Sequence, residues 1–175
     1  MADTARRAFF GLRMTVVLDG ATHLDEVLNR MITHVGDLSG AWREIADIIR
    51  QALRHQFEVE GDPDWQPLSP AYAARKARLK PGAPILVFTG QLRSSLTSPS
   101  SPDHLQRYGP HFLEVGSTLR TPDGNYNLGL LHQRGAPAAH LPARPMLRLL
   151  DSYKTDILRT LRAHINAEPE EWPGR

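Results

Sequence analysis

Residues 37–58 read DLSGAWREIADIIRQALRHQFE. Within them Leu38, Trp42, Ile45, Ile49, Ala52 and the pair Gln56-Phe57 trace one stripe at the 3.6-residue period, whereas Arg43, Glu44, Asp47, Arg50 and Arg54 lie mostly off it. The pattern predicts an amphipathic helix of about five turns, beginning near Asp37 or Ser39. A stripe this apolar needs a second layer to cover it, and the flanking sequence has to supply that layer.

Upstream, Leu12, Met14, Val16 and Leu18 alternate with Arg13, Thr15, Val17 and Asp19, the period-two signature of a half-buried strand. Asp19-Gly20 reads as a turn. Leu24, Val27, Leu28, Met31, Ile32 and Val35 then repeat at helical spacing, with Thr22 as N-cap and Gly36 as stop. Downstream, Gly61, Pro63, Pro67 and Pro70 break the helix. Ser69-Pro70 can cap and start a short helix through Lys76. Leu92 and Leu96, four apart, predict one or two helical turns. Residues 98–103 are Ser/Pro-rich and read as a flexible loop.

Leu105 to Tyr108 and Phe112 to Val115 flank Gly109-Pro110 as a hairpin. Asp123-Gly124 marks another turn. Leu128 to Gln133 fits either a strand or a short helical turn, and residues 135–142 are irregular. Pro145 suits the first turn of a final helix, whose buried stripe is Leu150, Tyr153, Ile157, Leu161 and Ile165. The expected fold class is α+β: a small antiparallel sheet packed with about three main helices. It forms a single domain with extended loops over residues 11–166, between a flexible N-terminus (1–10) and a flexible C-terminal tail (167–175).

Composition narrows the function. The 175 residues, 41% hydrophobic and 23% charged, describe an ordinary globular chain long enough to bury a core without staples. With no cysteine there is no disulfide, thiolate metal site or cysteine nucleophile, which suits a reducing cytoplasm. No apolar run approaches the roughly 20 residues of a membrane helix, and the opening residues, with Arg6 and Arg7, read as a loose end rather than a signal peptide. A formal charge of +2 is too small for a dedicated nucleic-acid binder.

Signatures of chemistry are missing. There is no phosphate loop, no GxGxxG, no GxSxG elbow, no HExxH helix and no EF-hand loop. Of the eight histidines, His111, His132 and His140 draw attention, but none pairs at i, i+4 beside a carboxylate as a zinc site favours. Ser94, Ser95 and Ser117 sit on no recognisable nucleophile elbow. The expectation is no enzyme, no metal and no cofactor. The basic run Arg75, Lys76, Arg78 and Lys80 is read as a solvated helix face or subunit contact. The alternative is a nucleic-acid-binding module built on residues 75–80, although no aromatic-interleaved platform accompanies it.

What remains is an ordered set of small motifs. Phe57, Gly61 and Trp65 precede Pro67-Leu68-Ser69 and Lys76. Ile85-Leu86, Thr89-Gly90, Leu92 and Ser95 follow, then Val115-Gly116, His132-Gln133 with Gly135, and Pro142-Ala143-Arg144-Pro145. Each has a plain reading. Gly90 permits a positive backbone angle, and Trp65 anchors a loop or the core. Arg144 bonds a buried carboxylate or backbone group, or crosses a subunit boundary. His132 and Gln133 are structural polar groups.

In this order the motifs resemble the phage virion morphogenesis family, also called the tail completion family, of Mu-like and other contractile-tailed phages. The resemblance spans residues 12 to 165. Leu128-Gly129 stand where that family often carries tyrosine-alanine. The resemblance implies a structural assembly protein that completes or terminates the tail, or joins head to tail. It implies a homo-oligomeric ring, six subunits matching the sixfold tube, in contact with tail tube, sheath or head–tail connector proteins. Assembly in the host bacterial cytoplasm and incorporation into a virion or phage-like particle follow from it. The segment from Trp65 to Lys80 and the loop 98–103 are the expected partner-facing surfaces.

Overall fold

The computed structural model describes residues 37–166 and, by backbone, residues 10–15. The helix expected over residues 24–35, the end of the first strand and both terminal segments lie outside the described residues. The elements are β1 (Phe10–Thr15), α1 (Ser39–Glu58), α2 (Pro70–Leu79), α3 (Gln91–Thr97), β2 (His104–Gly109), β3 (Phe112–Ser117), α4 (Leu128–Arg134) and α5 (Asp151–Asn166), with a 3-10 turn at Pro137–Ala139. The fold class is α+β.

The apolar stripe of α1 is the centre of the core. Leu38, Trp42, Ile45, Ala46, Ile49, Leu53 and Phe57 are all buried, joined by Leu92 and Leu96 of α3, Leu113 and Val115 of β3, and Ile157 of α5. Fully burying each large member contributes about 1.5–3 kcal/mol. Arg50, expected off the stripe, is buried instead. Its guanidinium bonds Asp47 on its own helix and Gln106 on β2, so the charge enters the interface paired.

The three strands form an antiparallel sheet in the order β1-β3-β2. The hairpin expected at Gly109-Pro110 is present, with Gly109 paired to Phe112. Its turn is hooked onto the start of α1: Trp42 Nε1 donates to Gly109 O at 2.9 Å, and Leu38 N donates to Pro110 O at 2.9 Å. Ser95 of α3 ties the helix layer to the sheet through the Ser117 hydroxyl at 2.7 Å.

α5 runs antiparallel to α1. Tyr153 meets His55 near the end of α1, Thr160 donates to Glu44 at mid-helix, and the His164 ring bonds Asp37 O at the start.

Two local expectations are corrected and one open alternative is resolved. Pro145 does not open the final helix, which begins at Asp151; residues 142–150 run as a non-helical strap. The strap is held from outside, because Gln133 Oε1 accepts the Met146 and Leu147 amides at 2.8 and 3.0 Å. Those amides are therefore bonded to a side chain rather than to a preceding turn of helix. Residues 98–103 are not a free loop but successive turns, with Ser101 N on Ser98 O and His104 N on Ser101 O. Leu128 to Gln133 resolves as helix, capped by Asn127, whose side chain accepts the Leu130 amide at 3.0 Å.

Candidate functional site

Most of the ordered motifs come together near the C-terminal end of α1, whereas Val115-Gly116 lie on β3 and Ser95 faces the sheet through Ser117. Gly61 turns the chain out of α1 with φ +102, and a Cβ there would lie 2.5 Å from the Trp65 ring. The missing side chain lets Trp65 fold back edge-on against Phe57, with ring centroids 5.6 Å apart and planes at 83°. Trp65 is buried, and its indole N–H donates to Pro145 O at 2.9 Å.

Arg144, next on the strap, is also buried and bonds backbone: Nε to Gln66 O at 2.9 Å and Nη2 to Pro67 O at 3.2 Å. Of the roles open to it in the sequence, the backbone one within the chain is the one observed. Its amide in turn bonds His132 O at 2.7 Å. The closing Pro-Ala-Arg-Pro motif is thus a clamp that locks the Trp65 loop to α4.

Gly135 makes the clamp possible. It takes φ +72, and a Cβ would approach Ala143 N to 2.6 Å and Leu141 O to 2.9 Å. Gly90 also takes a positive φ, +83, as the residue before α3, but faces open space. There the conformation rather than the crowding favours glycine. Thr89 Oγ1 accepts the Gln91 amide at 3.4 Å, and Leu92 is buried in the core.

Ser69 caps α2, its hydroxyl accepting the Tyr72 amide at 3.4 Å. The basic run on α2 divides. Arg75, Arg78 and Lys80 are exposed, whereas Lys76 is buried and donates to Pro84 O. Of the segment expected to face a partner, Trp65 and Lys76 are therefore turned inward in this chain. Burial lowers the Lys76 ammonium below its usual range; Glu60 opposes the shift and Arg144 adds to it. Glu60 itself accepts the Ile85 amide.

Between these parts lies an open groove of about 690 Å³. Its walls are the 66–69 loop with Tyr72 and Lys76 of α2, residues 86–92, Leu128 and His132 of α4, and the strap at Leu141, Pro142 and Arg144. Leu68, Ser69, Lys76, Thr89, Gly90, Leu92, His132 and Arg144 all line it, while Gln133, Gly135, Trp65 and Pro145 stand behind it as supports.

Lys76 and Arg144 line the groove together with His132 and His140, and no carboxylate is among its lining residues. Burial, and then the Arg144 charge, hold His132 below the usual histidine value, so its ring is neutral at pH 7. Its Nδ1 meets no protein partner among the described residues. Tyr72 fell within the segment 65–80 expected to face a partner without being singled out, and Phe88 was missed; both are more than 40% exposed at the rim. An exposed aromatic carries no signal in a single sequence.

Among the described residues no cluster of three or more His, Asp or Glu could hold a metal ion, and no helix is long and apolar enough to cross a membrane.

Comparison with known proteins agrees with the family resemblance. The chain is 26% identical over 152 residues to the Mu-like prophage FluMu G protein 2 of Haemophilus influenzae, an alignment covering 84% of this chain and 92% of that protein. No solved structure matches significantly. The model of the phage virion morphogenesis family matches residues 19–166, which contain every groove residue, and the chain belongs to that family.

Proposed function

We propose that this phage assembly protein completes or terminates the tail, or joins head to tail, as a homo-oligomeric ring of six copies. The supporting observation is the convergence of most of the motifs on one rimmed groove. Its polar groups are spent on clamping backbone (Arg144, Gln133, Lys76) rather than on arranging a nucleophile, base or metal. A closed ring needs two different patches that meet head to tail. A groove with exposed aromatics on its rim, and exposed Arg75 and Arg78 on the adjoining helix, suits one of them. Tail tube, sheath and head–tail connector proteins are the expected neighbours. Assembly would take place in the bacterial cytoplasm, before incorporation into the particle.

Light scattering on the purified chain tests this reading. The expected result is a discrete mass near six copies, together with co-purification of tail tube or connector proteins from infected or induced cells. Arg75→Glu with Arg78→Glu, both exposed, should weaken that association, since neither side chain is committed inside the fold.

The other reading uses Arg75, Arg78 and Lys80 as a phosphate-binding face, which is now three side chains rather than four. It predicts DNA affinity that falls steeply with salt. A monomer that binds DNA tightly at low salt and releases it at high salt would overturn the ring proposal in its favour.

A further inference from the structure

The groove has an apolar and cationic character that nothing in this chain's described residues fills. Tyr72 and Phe88 are 44% and 41% exposed at its rim, and Leu86 and Leu128 add apolar surface to its lining. Lys76 and Arg144 present the N–H groups not used on backbone carbonyls. Arg75 and Arg78 stand exposed on the adjoining helix. Glu60, behind Lys76, offsets part of this charge. A fitting occupant is an extended segment with carboxylates and a large aromatic side chain. A cavity of 300–1,000 Å³ is the usual size for burying a compact ligand or a few side chains.

The chain carries such a segment outside the described residues. Residues 167–175 read AEPEEWPGR: three glutamates, one tryptophan, and two prolines that favour an extended backbone. The segment departs from Asn166, beside the start of α1, because His164 bonds Asp37 O. The groove lies at the other end of α1, beyond Phe57 and Trp65. α1 has 20 residues, about 30 Å. The six residues from Asn166 to Trp172 span about 20 Å at full extension. Trp172 therefore falls short of the groove of its own chain, whereas a neighbour in a head-to-tail ring can bring its groove within the tail's reach.

We propose that residues 168–173 of one copy dock in the groove of the next, with Trp172 between Tyr72 and Phe88 and Glu170 and Glu171 against the basic side chains. This rests on the homo-oligomer reading above and names its two unlike patches.

The test uses two full-length variants that alter only exposed or tail residues. One is Glu170→Lys/Glu171→Lys/Trp172→Ala and the other is Tyr72→Ser/Phe88→Ser. Circular dichroism and thermal unfolding should match the wild type in both. By light scattering, each alone should lose self-association by at least tenfold. Mixed in equal amounts, they should recover a two-chain species and no ring, because only one intact tail and one intact groove remain per pair.

Wild-type-like assembly of both variants would overturn the docking while leaving the ring intact, and so would a mixture that stays monomeric. If the wild-type chain is itself a monomer, the ring reading fails, and docking is then read separately with a labelled peptide of residues 167–175. Micromolar binding abolished by Tyr72→Ser/Phe88→Ser sustains the docking, and absence of binding overturns it.

Discussion

Gly135 and Gly90 both take positive φ, yet they do so for different reasons, and substitution should separate them. Alanine at 90 meets open space and costs only the left-handed backbone, about 1–2 kcal/mol. Alanine at 135 meets the same kind of penalty with the 141–143 backbone already within 3.0 Å. Its ψ of 173° also lies in a region that is nearly glycine-only. Gly135→Ala is expected to cost about 3 kcal/mol or more. The urea midpoints of the two variants check this. Both glycines stood out in the sequence as motif members, but the crowding at one of them was invisible, because it depends on a strap that returns from further along the chain.

Among the elements, α2 is the one whose position rests on few groups. At 10 residues it is too short to be stable alone in water. It is held by its Ser69 cap at one end and by Lys76 on Pro84 O at the middle. Ser69→Ala should remove about 1 kcal/mol of local stability. Amide exchange of the α2 residues is expected to speed up about fivefold, with the amides of α1 unchanged; equal acceleration in both helices would show that α2 does not open independently. The start of α2 could be read in advance because serine-proline is a local signal. The start of α5 could not. Pro145 carries the same local signal, but Gln133 takes the Met146 and Leu147 amides, and that tertiary bond overrides it.

At the scale of the whole molecule, the α1 stripe, the hairpin and the class were legible because periodicity and turn residues are local. The groove was legible only as a list. The order of Trp65, Thr89-Gly90, His132-Gln133 and Arg144 was visible, while their meeting depends on bonds between residues 77 to 80 positions apart. The pH response of stability follows from the same closure. His132 is held neutral in the folded chain, with its protonation shifted below the usual 6.5 by burial first and Arg144 second. The unfolded chain therefore binds that proton more readily. Stability is full above about pH 6.5 and is lost as pH falls below it, by at most about 1.4 kcal/mol per unit. Urea unfolding at pH 7.5 and 5.5 should show the loss in the wild type and a smaller one in His132→Gln; identical slopes would remove His132 as the cause.

The clamp between Arg144 and the carbonyls of Gln66 and Pro67 also has a consequence in time. Synthesis runs from the N-terminus at about 5–20 residues per second. Roughly 4–16 s thus pass between the emergence of Pro67 and that of Arg144, 77 residues later. Throughout that interval the nascent chain holds one wall of the groove without the other. A polypeptide whose strap has not yet emerged has no finished groove, so in the proposed ring a neighbouring copy could dock there only after Arg144 has left the ribosome.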